Sequence, residues 1–134
     1  DDSTLYHVDT FGGTVWAFDK HPDGTISNRR EFARLDSKKE GFPDGLTVDN
    51  ENRVWLAHWG GSRITCFSQQ GERLGLVELP VPQVTSCTFG GPDLSVLYIT
   101  TAARNLDIVK YPLAGAVFKV PTKTTGCASH AFAG

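Results

Sequence analysis

The chain has 134 residues, 40% of them apolar and 21% charged, with a formal net charge of −2 at pH 7. That length suits one domain of ordinary size, and the composition excludes a disordered chain. With no block of like charge, neither a nucleic-acid-binding face nor a polybasic membrane patch is expected. In chain order, residues 3–9 predict a strand. Gly12-Gly13 break it, and extended, β-branched and aromatic character resumes over 14–18. His21-Pro22-Asp23-Gly24 reads as a turn, since Pro pre-sets φ and Gly accepts a positive one. Residues 25–33 predict a third strand, and the charged stretch 36–40 a solvated loop. Pro43-Asp44-Gly45 reads as an acidic turn that opens a short apolar run, Leu46 and Val48. Asp49-Asn50-Glu51-Asn52 is a polar turn, with Asp49 a turn residue at the outer end of its strand. Strands follow over 54–59 and 63–67, separated by Gly60-Gly61. A hairpin turn at 68–72 leads to a strand over 73–79, stopped by Pro80 and Pro82. Residues 85–91 are short and apolar, 95–100 a strand, 102–112 a loop, and 114–120 a last strand.

No apolar run approaches the roughly 18 residues needed to span a bilayer, and the first residues, DDSTLYHVDT, do not read as a signal peptide. The three cysteines, Cys66, Cys87 and Cys127, have no CxxC or CxxH partner. They read as free thiols in a reducing compartment, so a cytoplasmic setting is expected. Methionine is absent, which reads as an N-terminus removed or a piece of a longer chain.

The sequence repeats itself. Leu5-Tyr6-His7-Val8 before Gly12-Gly13 matches Val54-Trp55-Leu56-Ala57 before Gly60-Gly61. Val15-Trp16-Ala17-Phe18 matches Ile64-Thr65-Cys66-Phe67. The offset from Leu5 to Val54 is 49 residues, and Leu97-Tyr98-Ile99-Thr100 continues the series 43 residues further on. A period of this size, with several short strands per unit, is that of a β-propeller blade. The expected fold class is therefore all-β, a single partial β-propeller domain of about three blades over residues 1–134, or about half of a six-bladed propeller. Three blades do not close a ring, so open blade faces are expected.

Five segments in order carry a family resemblance: Ile-Ser-Asn-Arg-Arg at 26–30, Pro-Asp-Gly-Leu-Thr-Val-Asp at 43–49, Val-Trp-Leu-Ala-His-Trp-Gly-Gly at 54–61, Thr-Ser-Cys-Thr-Phe-Gly-Gly at 85–91 and Leu-Tyr-Ile-Thr-Thr-Ala at 97–102. Over nearly its whole length the chain resembles the C-terminal half of the gluconolactonase/regucalcin (senescence marker protein)/luciferin-regenerating enzyme family. The resemblance implies a six-bladed propeller with one divalent cation (Ca²⁺, Zn²⁺, Mn²⁺ or Mg²⁺) at the central channel. It also implies metal-dependent hydrolysis of sugar lactones or similar cyclic esters. In that family a Glu of the first blade, an Asn from mid-chain and the Asp of the Pro-Asp-Gly motif hold the metal. Here only the last has a counterpart, Asp44. The implied partners are a small lactone substrate and the missing N-terminal half, or a second copy.

The residues themselves leave two readings of Asp44. Asp, Gly and Pro are all turn formers, and a carboxylate is also a hard oxygen ligand for a divalent cation. The resemblance favours the ligand, giving Asp44 a catalytic role as well. Asp9 and His58 occupy matching positions in successive repeats, facing the channel or packed. Thr85 and Ser86 are candidates to line the channel, and Cys87 to enter the core. Trp16, Trp55 and Trp59 read as apolar faces between blades. His7 and His21 read as structural or exposed. Two other functions stand beside the lactonase: a non-catalytic half-propeller that binds a partner chain or itself, and a calcium-binding protein without turnover.

Overall fold

Short β-branched and aromatic runs separated by glycine-rich turns become ten strands and a single helical turn in the computed structural model, which describes residues 3–128. The strands are β1 (Thr4–Asp9), β2 (Thr14–Lys20), β3 (Ile26–Arg34), β4 (Phe42–Val48), β5 (Val54–Trp59), β6 (Arg63–Phe67), β7 (Arg73–Glu78), β8 (Val84–Gly90), β9 (Val96–Thr101) and β10 (Val117–Pro121). They form three antiparallel sheets, ordered β1-β2-β3, β4-β5-β6-β7 and β10-β9-β8. The sequence repeat is visible in the register. Leu5 pairs with Phe18 and Val54 with Phe67, so β1-β2 and β5-β6 are equivalent hairpins. Leu97 pairs with Val120 and places β9-β10 in the same role. Among the described residues only the middle sheet has four strands, the first having no counterpart of β4 and the third none of β7.

Each sheet buries alternate side chains against its neighbour, because successive residues of a strand point to opposite faces. Val15, Ala33 and Leu35 of the first sheet and its exit meet Val54, Leu56 and Phe67 of the second. Ala57 and Ile64 of the second meet Val84, Cys87, Phe89, Leu97 and Ile99 of the third, with Leu79 and Val81 sealing the connection. A fully buried aliphatic or Phe side chain of this kind contributes about 1.5–3 kcal/mol. Trp55 crosses the second boundary, edge-on to Phe89 at 5.8 Å between ring centroids. Trp16 does not follow suit: it lies on the opposite face of β2 from Val15 and Ala17, with the Arg29 guanidinium 3.9 Å above its ring.

Three local expectations are corrected. The stretch 36–40 is not a loop but a helical turn, α1 (Ser37–Glu40). Asp36 caps it by accepting from the Lys38 N–H, and the Glu40 carboxylate reaches back to the Asp36 N–H at 3.0 Å. This is a reciprocal cap that the charge count did not reveal. The last strand begins at Val117 rather than Ala114, because Thr101 Oγ1 takes the Gly115 N–H and donates to the Ala116 carbonyl, holding that segment out of the ladder. Pro43-Asp44-Gly45 is not a turn. It lies within β4.

Candidate functional site

β4 and β8 are the inner edges of the second and third sheets, and they pack on each other. Both carry a one-residue irregularity near the start. On β4, Pro43 pairs with His58 and Leu46 with Leu56, so Asp44 and Gly45 together face only Ala57. On β8, Val84 pairs with Thr101 and Ser86 with Thr100, leaving Thr85 without an opposite residue. Leu46 and Cys87 hold equivalent places, opposite Leu56 and Ile99, so Asp44 and Thr85 are the same position in successive sheets. Such a bulge bends the strand and re-aims a side chain. The proline and glycine either side of Asp44 are the sequence signal for it, since neither suits an uninterrupted ladder.

The two bulges touch. A methyl group on Gly45 would lie 2.3 Å from Ser86 Oγ and 2.8 Å from the Thr85 carbonyl oxygen, so β8 sits where only a hydrogen fits. Thr85 Oγ1 hydrogen-bonds Thr100 Oγ1 at 2.7 Å. Asp44, Thr85 and Ser86 are thus brought together at one end of the sheets. Gly45→Ala is expected to destabilise the full-length protein by about 1–3 kcal/mol in thermal or urea unfolding. Adding Ser86→Gly is expected to restore part of that loss, because the backbone carbonyl still opposes the methyl group. An unchanged unfolding midpoint for Gly45→Ala would contradict the contact.

Asp44 is half-buried, and among the described residues no Lys, Arg or His forms an ion pair with it. Burial pushes its carboxyl above the ordinary Asp value, and a hydrogen bond from the Gly45 N–H only partly offsets this. A desolvated carboxylate without a counter-charge is an arrangement that a bound cation would stabilise.

The other two candidates are placed differently. Asp9 is exposed, and its Oδ1 accepts the Gly12 N–H at 2.9 Å, closing the β1–β2 turn. His58 is fully buried on β5, and its Nδ1 donates to the Glu40 carbonyl at 2.9 Å, tying α1 to the second sheet. That bond fixes the tautomer and leaves Nε2 with no hydrogen-bond partner among the described residues. Burial, opposed by the Glu40 carbonyl, holds the His58 pKa below 6.5. The folded state therefore binds fewer protons than the unfolded one just below that pH. Stability is fully present above about pH 6.5 and falls as the pH drops from there toward the depressed folded value. Glu40 does not confuse this window. Arg73 depresses its carboxyl to about 2, so its contribution persists above the ordinary value of 4.5 and disappears only as the pH falls through about 2. Urea midpoints measured between pH 7 and 5 are expected to fall more steeply for the wild type than for His58→Gln. Equal slopes would refute the assignment.

Asp49, read as a turn residue, is more than that. It is fully buried, with Oδ1 accepting the Glu51 and Arg53 N–H groups at 2.9 Å each. Oδ2 accepts Arg53 Nε at 2.7 Å and Trp55 Nε1 at 2.9 Å. Burial alone would raise its pKa, and these four hydrogen bonds outweigh it and hold the carboxyl below the ordinary value.

The family model for the SMP-30/Gluconolactonase/LRE-like region matches residues 1–103. The chain belongs to that family. It is 42% identical to regucalcin of Danio rerio over 125 residues, covering 90% of this chain and 42% of the relative. The luciferin-regenerating enzyme superposes with a TM-score of 0.85 at 35% identity, over 94% of this chain and 44% of that one. A regucalcin of Agrobacterium tumefaciens, described as a calcium-binding protein, gives 0.85 at 28% identity, over 95% and 44%. The chain therefore spans less than half the length of these SMP-30/gluconolactonase relatives, and its three sheets match part of their propeller.

A carboxylate is a hard-oxygen donor, and Asp44 offers one at this end of the sheets. Among the described residues no three His, Cys, Asp or Glu side chains gather as a metal cluster. Asp44 is thus a single ligand candidate, beside the hydroxyls of Thr85 and Ser86. Of the cysteines, Cys66 and Cys87 are buried and Cys127 exposed, all three free. Burial pushes the Cys87 thiol up to about 12 and the Cys66 thiol to about 11, which makes neither a nucleophile.

Proposed function

We propose that this chain is the C-terminal part of a divalent-metal-dependent lactonase-type hydrolase acting on sugar lactones or similar cyclic esters. Asp44 is its metal ligand and catalytic carboxylate. The observation that carries this is the carboxylate itself: half-buried, without a counter-ion, and aimed by a bulge on an inner strand. Asp44 would help hold a divalent cation (Ca²⁺, Zn²⁺, Mn²⁺ or Mg²⁺), which would supply Lewis-acid chemistry for a lactone carbonyl. Asp44 supplies one oxygen and a full negative charge to the donor set. Thr85 and Ser86 line the same end of the channel and offer hydroxyls to the polyol part of a sugar lactone. The Thr85–Thr100 hydroxyl pair holds Thr85 in one orientation. Buried His58 and turn-capping Asp9 stand outside this set.

Hydrolysis of a panel of sugar lactones by the full-length protein, with and without EDTA, tests the reading. Metal-dependent turnover supports it. Metal-independent turnover, or none with any lactone or divalent cation, would defeat it.

A second reading has its own observation. Among the described residues the inner edge of β1 carries no strand partner, and the face of the first sheet turned away from the second exposes Leu5 beside Phe18 and Trp16. An unpaired edge with an apolar face invites another chain. In this reading the three sheets are a half-propeller that associates with an N-terminal half or with a second copy, without turnover or as a calcium-binding protein. Light scattering on the 134-residue chain separates the outcomes: a stable monomer contradicts it. No helix among the described residues is long and apolar enough to cross a membrane. A reducing, cytoplasmic setting is proposed on the strength of the free thiols.

A further inference from the structure

A cavity of about 350 Å³ lies between the first sheet and the β6–β7 turn of the second. It sits at the opposite end of the strands from Asp44. Thr4, the first residue of β1, is in its wall, and β6 reaches the turn at Phe67, which pairs with the start of β5. Asp44 instead lies near the start of β4, beside the end of β5. Both walls belong to this chain. Gly71 fixes their spacing: its φ is 85°, and a methyl group there would lie 2.2 Å from the Phe32 carbonyl oxygen. The turn is therefore pressed directly onto the β3 backbone.

The lining has a consistent chemistry. Tyr6 and Phe32 meet edge to face at 4.8 Å and form an aromatic wall. The charges present are already neutralised. Arg30 Nη1 bonds Asp19 at 2.7 Å, and Glu31 is paired with Arg34 at 2.7 Å. Gln69 and Gln70 complete the rim, and among the described residues their carboxamides make no hydrogen bond. The Tyr6 hydroxyl and the remaining Arg30 N–H groups are likewise available. A site without net charge does not suit a phosphate or a carboxylate. Two amides, a phenol and a guanidinium around an aromatic wall suit a molecule with many hydroxyls and an apolar C–H face. The volume is at the small end of the range for ligand sites, roughly 300–1,000 Å³.

We propose that this cavity is a second small-molecule site, distinct from the Asp44 end of the channel, that takes a neutral monosaccharide ring. The sugar lays its C–H face on Tyr6 and Phe32 and exchanges hydrogen bonds with Gln69, Gln70 and Arg30. The site does not depend on whether the protein hydrolyses lactones.

Titration of neutral hexoses and pentoses into ¹⁵N-labelled full-length protein tests it, with glucose 6-phosphate and gluconate as charged comparators. The expected result is saturable shifts in the Gln69 and Gln70 side-chain amides and in Thr4, at lower concentration for at least one neutral sugar than for either anion. A Gln69→Ala/Gln70→Ala double variant is expected to weaken binding by about tenfold or more, equivalent to 1.4 kcal/mol. Tyr6→Phe, which removes only the hydroxyl, gives the same test should the turn variant fail to fold. Asp44→Asn is expected to leave these shifts intact, so failure of the lactonase reading would remain separate. Absence of saturation, preference for the anions, or binding untouched by the variants would overturn the proposal.

Discussion

Replacing Asp44 by Asn in the full-length protein is expected to lower kcat/KM for sugar-lactone hydrolysis by at least about a hundredfold, with a parallel loss of divalent-metal affinity. Asn keeps the shape and removes the charge, so the loss reports ligation rather than packing. The same substitution is expected not to destabilise the fold. Burial raises the Asp44 pKa, so the ionised form is the one the folded state disfavours, and its neutral isostere relieves that penalty. A protein that is inactive, poor in metal and as stable as the wild type is the signature of a group kept for function against stability. Lactone turnover, calorimetric metal titration and thermal unfolding on one preparation read all three. Wild-type metal affinity together with wild-type turnover would remove Asp44 from the site.

Asp49→Ala is expected to do the reverse: to cost at least about 1–3 kcal/mol of stability, since removing the buried acceptor leaves donors aimed at it without a partner. Four hydrogen bonds converge on this fully buried carboxylate. Two close the 49–53 turn, and one holds the Trp55 indole that packs on Phe89 across the sheet boundary. Its removal leaves the Trp55 indole N–H and the Glu51 and Arg53 backbone N–H groups without their acceptor, although Arg53 keeps its pair with Glu51, and it frees the turn that sets the β4–β5 register. In this reading the variant unfolds at markedly lower urea concentration with an unchanged m-value, and retains activity per folded molecule. A loss under about 0.5 kcal/mol would show that water replaces the carboxylate, and that its burial is incidental.

These two aspartates show what the sequence could and could not say. The repeat of Leu5, Val54 and Leu97 was legible because hairpin pairing at fixed spacing writes itself into the chain. From it followed strands, sheets and the propeller class. Local chemistry was harder. Asp44 and Asp49 both looked like turn residues, since Pro-Asp-Gly and Asp-Asn-Glu-Asn are both turn compositions. One lies in a strand bulge and the other anchors a buried network. The difference depends on a bulge opposite Ala57 in one case and, in the other, on a turn that folds the nearby Arg53 and Trp55 back onto the carboxylate, a geometry that the turn composition does not specify. The cap of α1 and the late start of β10 are similar cases, decided by single side chains, Asp36 and Thr101. The convergence of Gly45 with Ser86 joins residues of two different repeats, so periodicity alone does not reveal it.

The matched bulges on β4 and β8 carry one more consequence. Asp44 and Thr85 occupy the same socket in successive repeats. The strand around each socket is held by its ladder and by the sheet beside it, not by the side chain that fills it. Each of these two repeats can therefore present a carboxylate or a hydroxyl at that position without rebuilding its scaffold. The chemistry at this end of the two sheets is composed one residue per repeat, independently of the hydrophobic faces that hold the repeats together.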